Sequence, residues 1–584
     1  MKAERRGAGG RWIWAILLLA AGLRLVWLDS VPPALSADEA SNAYDGYCLL
    51  ETGADRWGDR WPVVLRAFGD ADYRPALLAY LTVPLQALLG PGLIVTATRL
   101  PAALAGVLAV GCLYALARRA FDERTGLLAA LLLSVSPWHL FVTRLGHEAA
   151  LTPLFPVLVL LLLQRGGVPF GRRPDGAEEP GSLRWPWLAA AGAAAGLSQY
   201  AYASMRLFMP ALLLGVALIC REPLRRQLRS GRSRWALAGF LAAGVIVAGP
   251  MIHVTFARWD TVNARALTES LFHREPSIIA AVALTVQQYL QHFGPDWLFV
   301  TGHPYVLLSP RGFGQLHWYM LALVPLGLVA LVRHHRANRV CAVVLLWLLI
   351  YPIASATTKG GVHALRAAPG AAVFPLIGAV GLAALLARWL PGRSARVAAG
   401  AVTAGLIALF AGRFVHQYLL RYPRDPEVQA RYQVEFRLAM DYLRQRRDLF
   451  DHVFVSDRRS MSRLWHTSEA YIYPLAYLPV DPAEFHTAPQ VEYSPPGQVA
   501  FHFIARFGDF TFTINRQALG DYAAAFPEAK ILLMARPGEV AGGRVVYALH
   551  RPPPPGETEP QPCLLLIAAD LGRERVEAVW DGAD

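Results

Sequence analysis

The sequence is poor in cysteine and in charge. Its five cysteines stand at 48, 112, 220, 341 and 563, with no CxxC pair among them. That scatter supports neither a zinc site nor a disulfide framework. A bridge from Cys48 to Cys563 would need both residues outside a membrane, and nothing else in the sequence supports it. Charged residues make up 17% of the 584, against about 25% in soluble domains. No internal repeat is evident. The first apolar run lacks a small-residue cleavage site, so it reads as an anchor and not as a removable signal peptide.

What the sequence has instead is apolar length: 54% of residues are hydrophobic. A helix needs about 20 mainly apolar residues to cross a bilayer. Eleven stretches come near enough, at 12–29, 95–117, 125–142, 149–164, 186–202, 205–220, 235–255, 317–332, 340–357, 368–387 and 397–415. A further run, ALLAYLTVPLQALLG (76–90), has Pro84 in its middle and Gly-Pro directly after it, and reads as lying in or near the interface.

The basic residues orient these stretches. Lys2, Arg5, Arg6 and Arg11 precede the first span, Arg118, Arg119 and Arg124 follow the second, and Arg165, Arg172, Arg173 and Arg184 follow the fourth. CREPLRRQLRSGRSRW follows the sixth, and RHHRANR and RWLPGRSAR fill two later gaps. If the spans alternate, all of these lie on one side, and the positive-inside rule puts the amino terminus in the cytoplasm. Much of the net charge of +13 is then topological, which argues against nucleic acid as a partner.

The expected fold is therefore a polytopic α-helical membrane protein of about 11 transmembrane helices with a C-terminal extracytoplasmic α/β domain. The expected division is a cytoplasmic amino terminus at 1–11, a membrane domain at 12–415 with a first outer loop at 30–94, and an outer domain at 416–584. In that tail, β-rich runs at 452–457, 499–507, 530–536, 545–551 and 563–571 alternate with helix-like stretches such as QALGDYAAAF. The expected location is the plasma (inner) membrane.

Ionisable residues gather at the outer ends of the spans. SADEASNAY (36–44) places Asp38 and Glu39 just beyond the first span, at the depth of lipid headgroups. The other acids of that loop, Asp45, Asp55 and Asp59 among them, are expected to be solvated. TRLGHEAALTP (143–153) holds Arg144, His147 and Glu148 in a short turn. Either Arg144 simply pairs with Glu148 there, or the acid serves a site, since ionisable residues near membrane depth sit against partners or a water-filled cavity. Cations complete the set: Arg74 in DADYRPALLAYL, His303 and Arg311 in TGHPYVLLSPRGFGQ (301–315), and Lys359, His363 and Arg366 in TTKGGVHALRAAPG (357–370). They run against the topology rule. They could snorkel to anionic lipid heads or bind a phosphate, for which an Arg fork is suited.

Carboxylates and cations at one interface suit the transfer of a sugar from a phosphate leaving group to a hydroxyl. The hydroxyl needs a base, the departing phosphate needs cations, and little acid is required. Outside the membrane, where nucleotide sugars are absent, the donor would be lipid-linked. A transporter or flippase of lipid-linked sugars is the rival class, but such proteins usually keep ionisable residues near the midplane on broken helices. A scaffold in envelope assembly is a third.

DEASNAY after the first span, YRPALLAYLTVPLQALLG then TRLPAALAGVLAV, RLGHEAALTP, RGFGQ and HALRAAPG together resemble GT-C glycosyltransferases of the protein O-mannosyltransferase and aminoarabinose-transferase superfamily. The resemblance covers about residues 12–415, and VFVSDRRSMSRLWHTSEAYIYPLAYLPVDPAEF resembles the outer domain of bacterial members. It implies a polyprenyl-phosphate sugar donor, transfer outside the membrane, and inversion at the anomeric carbon. It places the catalytic base on Asp38, a second acid on Glu148, and the basic residue before the loop's proline on Arg74. Glu39 is a supporting acid, and Arg366, Arg311, His303, His363 and Lys359 are the other candidates for the donor phosphate. There are two departures: Ala76 follows Pro75 where a second proline is usual, and Ser41 replaces an arginine of the aminoarabinose enzymes. No convincing metal ligand set stands out, although a divalent metal occurs in some members. The sugar and the acceptor, whether protein, lipid or glycan, stay open.

Overall fold

The computed structural model describes residues 4–69, 72–170, 182–336, 338–389, 392–456, 469–488, 490–493, 501–553 and 559–579. Asp70 and residues 457–468 of the stretch resembling an outer domain fall outside the described residues. The chain divides into two compact units. The first is Met1–Leu28, Arg74–Leu78 and Arg99–Tyr418; the second is Asp29–Tyr73, Ala79–Thr98 and Leu419–Asp584.

Each of the eleven apolar stretches is built mainly of helix. Among the described residues, six helices are long and apolar enough to cross a membrane: Pro91–Ala120, Glu148–Arg165, Gly231–Ala257, Arg339–Ala356, Ala368–Ala387 and Arg393–Arg424. Met205–Ile219 with Arg221–Gln227, bent by 76° at their break, make a seventh if counted as one span. That is fewer than the 11 expected. The remaining stretches are shorter, interrupted or more polar, as where Pro137 starts a new helix after Glu123–Ser134. Proline lacks the N–H that would continue the ladder. A further short apolar helix, Ile278–Gln291, lies outside the eleven stretches.

Small residues let helices of the first unit touch by their backbones. A Cβ at Gly192 would stand 2.0 Å from the Phe240 carbonyl oxygen, and one at Gly196 2.8 Å from that of Gly244. Trp185–Leu197 and Gly231–Ala257 therefore pack through a small-xxx-small stripe, the usual solution where lipid gives no hydrophobic drive for helices to associate.

Buried arginines close the end of the first helix, Glu4–Leu25. Arg144 donates to the carbonyls of Leu23 at 2.8 Å and Val26 at 2.9 Å, and Arg99 to that of Leu28 at 3.1 Å. The last carbonyls of a helix have no partner within it and carry partial negative charge, so cations suit them. Arg24, fully buried, donates to Thr143 Oγ1 at 3.1 Å and to the Ser134 carbonyl at 3.2 Å. Gly106 makes room for that group: a Cβ there would lie 2.7 Å from Thr143 Cβ and 2.9 Å from Arg24 Nε.

The second unit is built on a six-stranded sheet, ordered Arg544–Arg551, Gln561–Asp570, Lys530–Ala535, His452–Val455, Phe510–Thr511 and Arg506–Phe507. His452–Val455 is parallel to both its neighbours, and the other pairings are antiparallel. Its core extends to the segment after the first helix. Leu35, Ala40, Tyr44 and Cys48 share one buried cluster with Phe436, Met440, Tyr473 and Val453. Hydrogen bonds fix the join: the Leu35 N–H donates to Tyr477 Oη at 2.9 Å, and Tyr44 Oη to the Val480 carbonyl at 3.1 Å. The run 76–90 is a helix, Leu77–Leu89, against which Gly46 packs so closely that a Cβ would meet Thr82 Oγ1 at 2.2 Å. All five cysteines are free.

Candidate active site

Asp38 and Glu39 lie in the first turn of a helix, Ala37–Thr52. Ser36 caps it: its Oγ accepts from the Glu39 N–H at 3.3 Å, and Glu39 Oε2 accepts in return from the Ser36 N–H at 3.0 Å. This reciprocal pair satisfies two amide donors that a helix start leaves without partners. Glu39, buried, is thereby a carboxylate that orients the turn carrying Asp38. Asp38 is half-buried.

Two acids of that loop, Asp45 and Asp55, are not solvated, which corrects the expectation for them, whereas Asp59 is exposed as expected. Asp45 and Arg56 form an ion pair at 3.7 Å with both side chains fully buried. Arg56 also donates to Ser41 Oγ and to the Ala67 carbonyl. Asp55, buried too, closes a turn by accepting from Trp57 N–H at 2.9 Å and Asp59 N–H at 3.0 Å. Burial, with the charge of Asp45 beside it, raises its carboxyl to about 7. Helix, ion pair and turn all belong to the second unit.

Seven of the candidates lie in the first unit. Glu148 opens a short 3₁₀ turn, Glu148–Leu151, with 5% of its surface exposed. Its Oε2 lies 3.6 Å from His147 Nδ1, which also accepts from the Ala149 N–H at 3.1 Å. Of the two readings of this turn, Arg144 contributes the helix-capping bonds already described. The rings of His303 and His363 meet edge to face at 5.2 Å. Arg366, His303 and His147 are close enough to His363 for their charges to act on it. Burial, with Arg366 next in effect, drives His363 well below the usual imidazole range, and burial lowers His303 to about 4. Both rings are neutral near pH 7. Each accepts a backbone N–H at Nδ1, from Tyr305 at 3.0 Å and from Leu365 at 3.3 Å. What they can offer an anion is an Nε2–H donor and not a charge.

The charge comes from Lys359 and Arg366, and both are engaged. Lys359 Nζ lies 2.5 Å from Glu269 Oε1, and Arg366 Nη2 lies 2.9 Å from Glu269 Oε2. Arg366 Nη1 donates to Thr358 Oγ1 at 2.8 Å and to the Lys359 carbonyl at 2.9 Å. Burial alone would raise the Glu269 carboxyl, but the two cations outweigh it and hold it below the usual range. Sequence reasoning missed Glu269, a single acid in a segment between membrane-length helices with no motif around it. Arg74 is buried in a strand, Tyr73–Pro75, and Arg311 lies on an exposed turn. Among the described residues, no group of three or more His, Cys, Asp or Glu side chains could hold a metal ion.

Residues 74–253 match the family model described as dolichyl-phosphate-mannose-protein mannosyltransferase. No curated protein matches the chain. Among solved structures, ArnT from Cupriavidus metallidurans bound to undecaprenyl phosphate matches with a TM-score of 0.53 at 14% identity, over 95% of this chain and 98% of that one. ArnT in the apo state gives 0.52 at 14%, over 96% and 98%. The resemblance to GT-C glycosyltransferases holds. The apo oligosaccharyltransferase of Archaeoglobus fulgidus matches more loosely, with a TM-score of 0.47 at 14% identity over 80% of this chain and 64% of that one. With the GT-C fold and helices fit to cross a bilayer, the chain is an integral membrane protein.

Proposed function

We propose that this protein is a membrane glycosyltransferase that moves a sugar from a polyprenyl-phosphate donor to an acceptor hydroxyl on the extracytoplasmic face, with inversion. The observation that carries the reading is the pair Lys359 and Arg366, converging on one anionic group beside neutral His303 and His363. Two cations on the two oxygens of one anion are what a departing phosphate needs. The mannosyltransferase match across Arg74 and Glu148 supports the same class. So does the place of Lys359, His363 and Arg366 in a segment between helices and not within one, since a transporter would carry them at mid-span.

In this reading Asp38 is the general base: its carboxylate takes the acceptor's proton as the oxygen attacks the anomeric carbon, and the C–O bond to the phosphate breaks. Glu39 holds the turn that presents Asp38. Glu148 is the second acid, on the acceptor side, and Arg74 and Arg311 are further phosphate ligands. The eleven-span topology, with the amino terminus in the cytoplasm and the tail from about 416 outside, belongs to the same proposal.

The test is transfer by the purified protein in vesicles supplied with lipid-linked sugars, alongside mass spectrometry of envelope glycans and glycoproteins in a deletion strain. General-base catalysis contributes typically 10²–10⁴-fold. Asp38→Asn should therefore lower transfer by about two orders of magnitude while donor binding stays nearly intact. Transfer at the normal rate by that variant removes Asp38 from the chemistry. A reporter active only in the cytoplasm, fused after Asp584, should be silent; a signal from it would overturn the orientation.

A further inference from the structure

The two cations assigned to the donor phosphate already hold a carboxylate, and that carboxylate is built to be the exchangeable member of the set. Arg366 is fixed from its other side by Thr358 Oγ1 and the Lys359 carbonyl, so its fork keeps its direction whether or not Glu269 is there. Lys359, with 40% of its side chain exposed, can follow any anion on its long stem. Glu269, by contrast, lies inside a run of short helical pieces, Trp259–Val262, Ala264–Glu269 and Leu271–Arg274, at the end of the second. This run meets the segment after Arg339–Ala356 through an isolated antiparallel bridge, Ser270 to Thr358. Two backbone bonds make it: Leu271 N–H to the Thr357 carbonyl at 3.1 Å, and Lys359 N–H to the Glu269 carbonyl at 2.8 Å. Trp259 and Phe272 on the run are exposed.

We propose that Glu269 is an internal stand-in for the donor's phosphate, occupying the Lys359–Arg366 seat until a polyprenyl phosphate displaces it. The inference rests on the reading of Lys359 and Arg366 as phosphate ligands. A carboxylate and a phosphate present the same pair of oxygens to a guanidinium. They cannot share the seat, because like charges that close disfavour one another. Glu269 thus sets a threshold: an anion that binds these cations less well than the tethered carboxylate does not enter. It also keeps the cations paired in the interval between departure of one lipid phosphate and arrival of the next, when bare charges at the membrane edge would otherwise collect anionic lipid.

The experiment measures the affinity of a polyprenyl phosphate for the full-length protein in nanodiscs of zwitterionic lipid. Glu269→Gln removes the competing charge and keeps the shape, so binding should tighten about ten-fold, the scale of one charge-assisted bond. A second variant locks the strap. Ser270 and Thr358 are a non-hydrogen-bonded antiparallel pair, the geometry in which strands come closest, so Ser270→Cys with Thr358→Cys can be bridged. Its oxidised form should lose polyprenyl-phosphate binding and regain it on reduction. Arg366→Ala separates the two layers of the reading. If it weakens binding while Glu269→Gln leaves affinity unchanged or lower, or while the oxidised pair binds as well as the reduced, the clamp stands and the exchange is wrong. If Arg366→Ala binds as wild type does, the clamp itself fails and the exchange with it. Should Glu269→Gln not fold, the oxidised and reduced forms of the cysteine pair decide alone.

Discussion

Replacing Arg56 by methionine tests whether the acids of the first loop are part of a folded core. Arg56 stands 3.7 Å from Asp45 with both side chains fully buried, and donates to Ser41 and to the Ala67 and Arg66 carbonyls. Its guanidinium also lies over the rings of Trp57 and Phe68, at 5.5 Å from each centroid. Methionine fills much of the volume but leaves Asp45 buried without its counter-charge. Breaking a buried pair from one side costs about 3–5 kcal/mol, a large share of the ~5–15 kcal/mol that holds a typical domain together. Asp45→Asn with Arg56→Met removes both charges, and such neutral exchanges are often close to cost-free. The double variant should therefore recover most of what the single one loses. Unfolding of the detergent-solubilised protein, followed by tryptophan fluorescence, reads the difference, with Trp57 beside the pair as a local reporter. If Arg56→Met unfolds with the wild type, or the double variant is worse than the single, the pair is not a buried structural element.

Asp55 adds a pH dependence of known sign. Its folded pKa is raised from 3.8 to about 7, so between those values the folded state keeps a proton that the unfolded state has lost. Its contribution is fully present below about pH 4 and fades as the pH rises through 7. Asp55→Asn should thus gain on the wild type in melting temperature from pH 5 to pH 8; an unchanged difference between those two pH values counts against the burial. Glu39→Gln can still accept the Ser36 N–H, but Glu39→Ala cannot, and loss of a capping partner costs about 0.5–2 kcal/mol. The alanine variant should slow transfer by loosening the turn of Asp38, the glutamine much less; equal rates for the two would end the capping account. Gly192→Leu would drive a side chain into the backbone of Gly231–Ala257, from which a Cβ is only 2.0 Å away. It should abolish the purified monodisperse protein on size exclusion, whereas Gly239→Leu, with open space around it, should elute as wild type does.

What the sequence made legible followed from length and period. Apolar runs form helices, and the alternating runs of the tail form strands at His452–Val455, Lys530–Ala535, Arg544–Arg551 and Gln561–Asp570. The count of crossings was less legible, because several runs are broken by proline within a few residues of the length a bilayer needs. The burial of Asp45 and Asp55 was not legible for a different reason. Ala37–Thr52 buries Ser41, Asn42 and Asp45 alongside Ala40, Ala43 and Tyr44, so polar and apolar residues share its inner face and no stripe marks it as a core helix. Its partners lie in the tail, and no local pattern shows that. Glu269 was hidden in the same way: its meaning comes from Lys359 and Arg366, some ninety residues further on.

The bond from Leu35 to Tyr477 closes a loop of 442 residues. Chains are made from the amino terminus at ~5–20 residues per second, so the helix bearing Asp38 waits on the order of 20–90 s for the residues that bury it. During that wait all six helices long enough to cross a membrane among the described residues are synthesised, and Leu35, Tyr44 and Cys48 have none of their final neighbours from the tail. More than 400 residues must follow Leu35 before the candidate base acquires its support. A truncated copy, however well its helices insert, would carry Asp38 on an unsupported segment with an apolar flank left bare for quality-control proteases. The packing that holds the candidate base is thus the last to form along the chain.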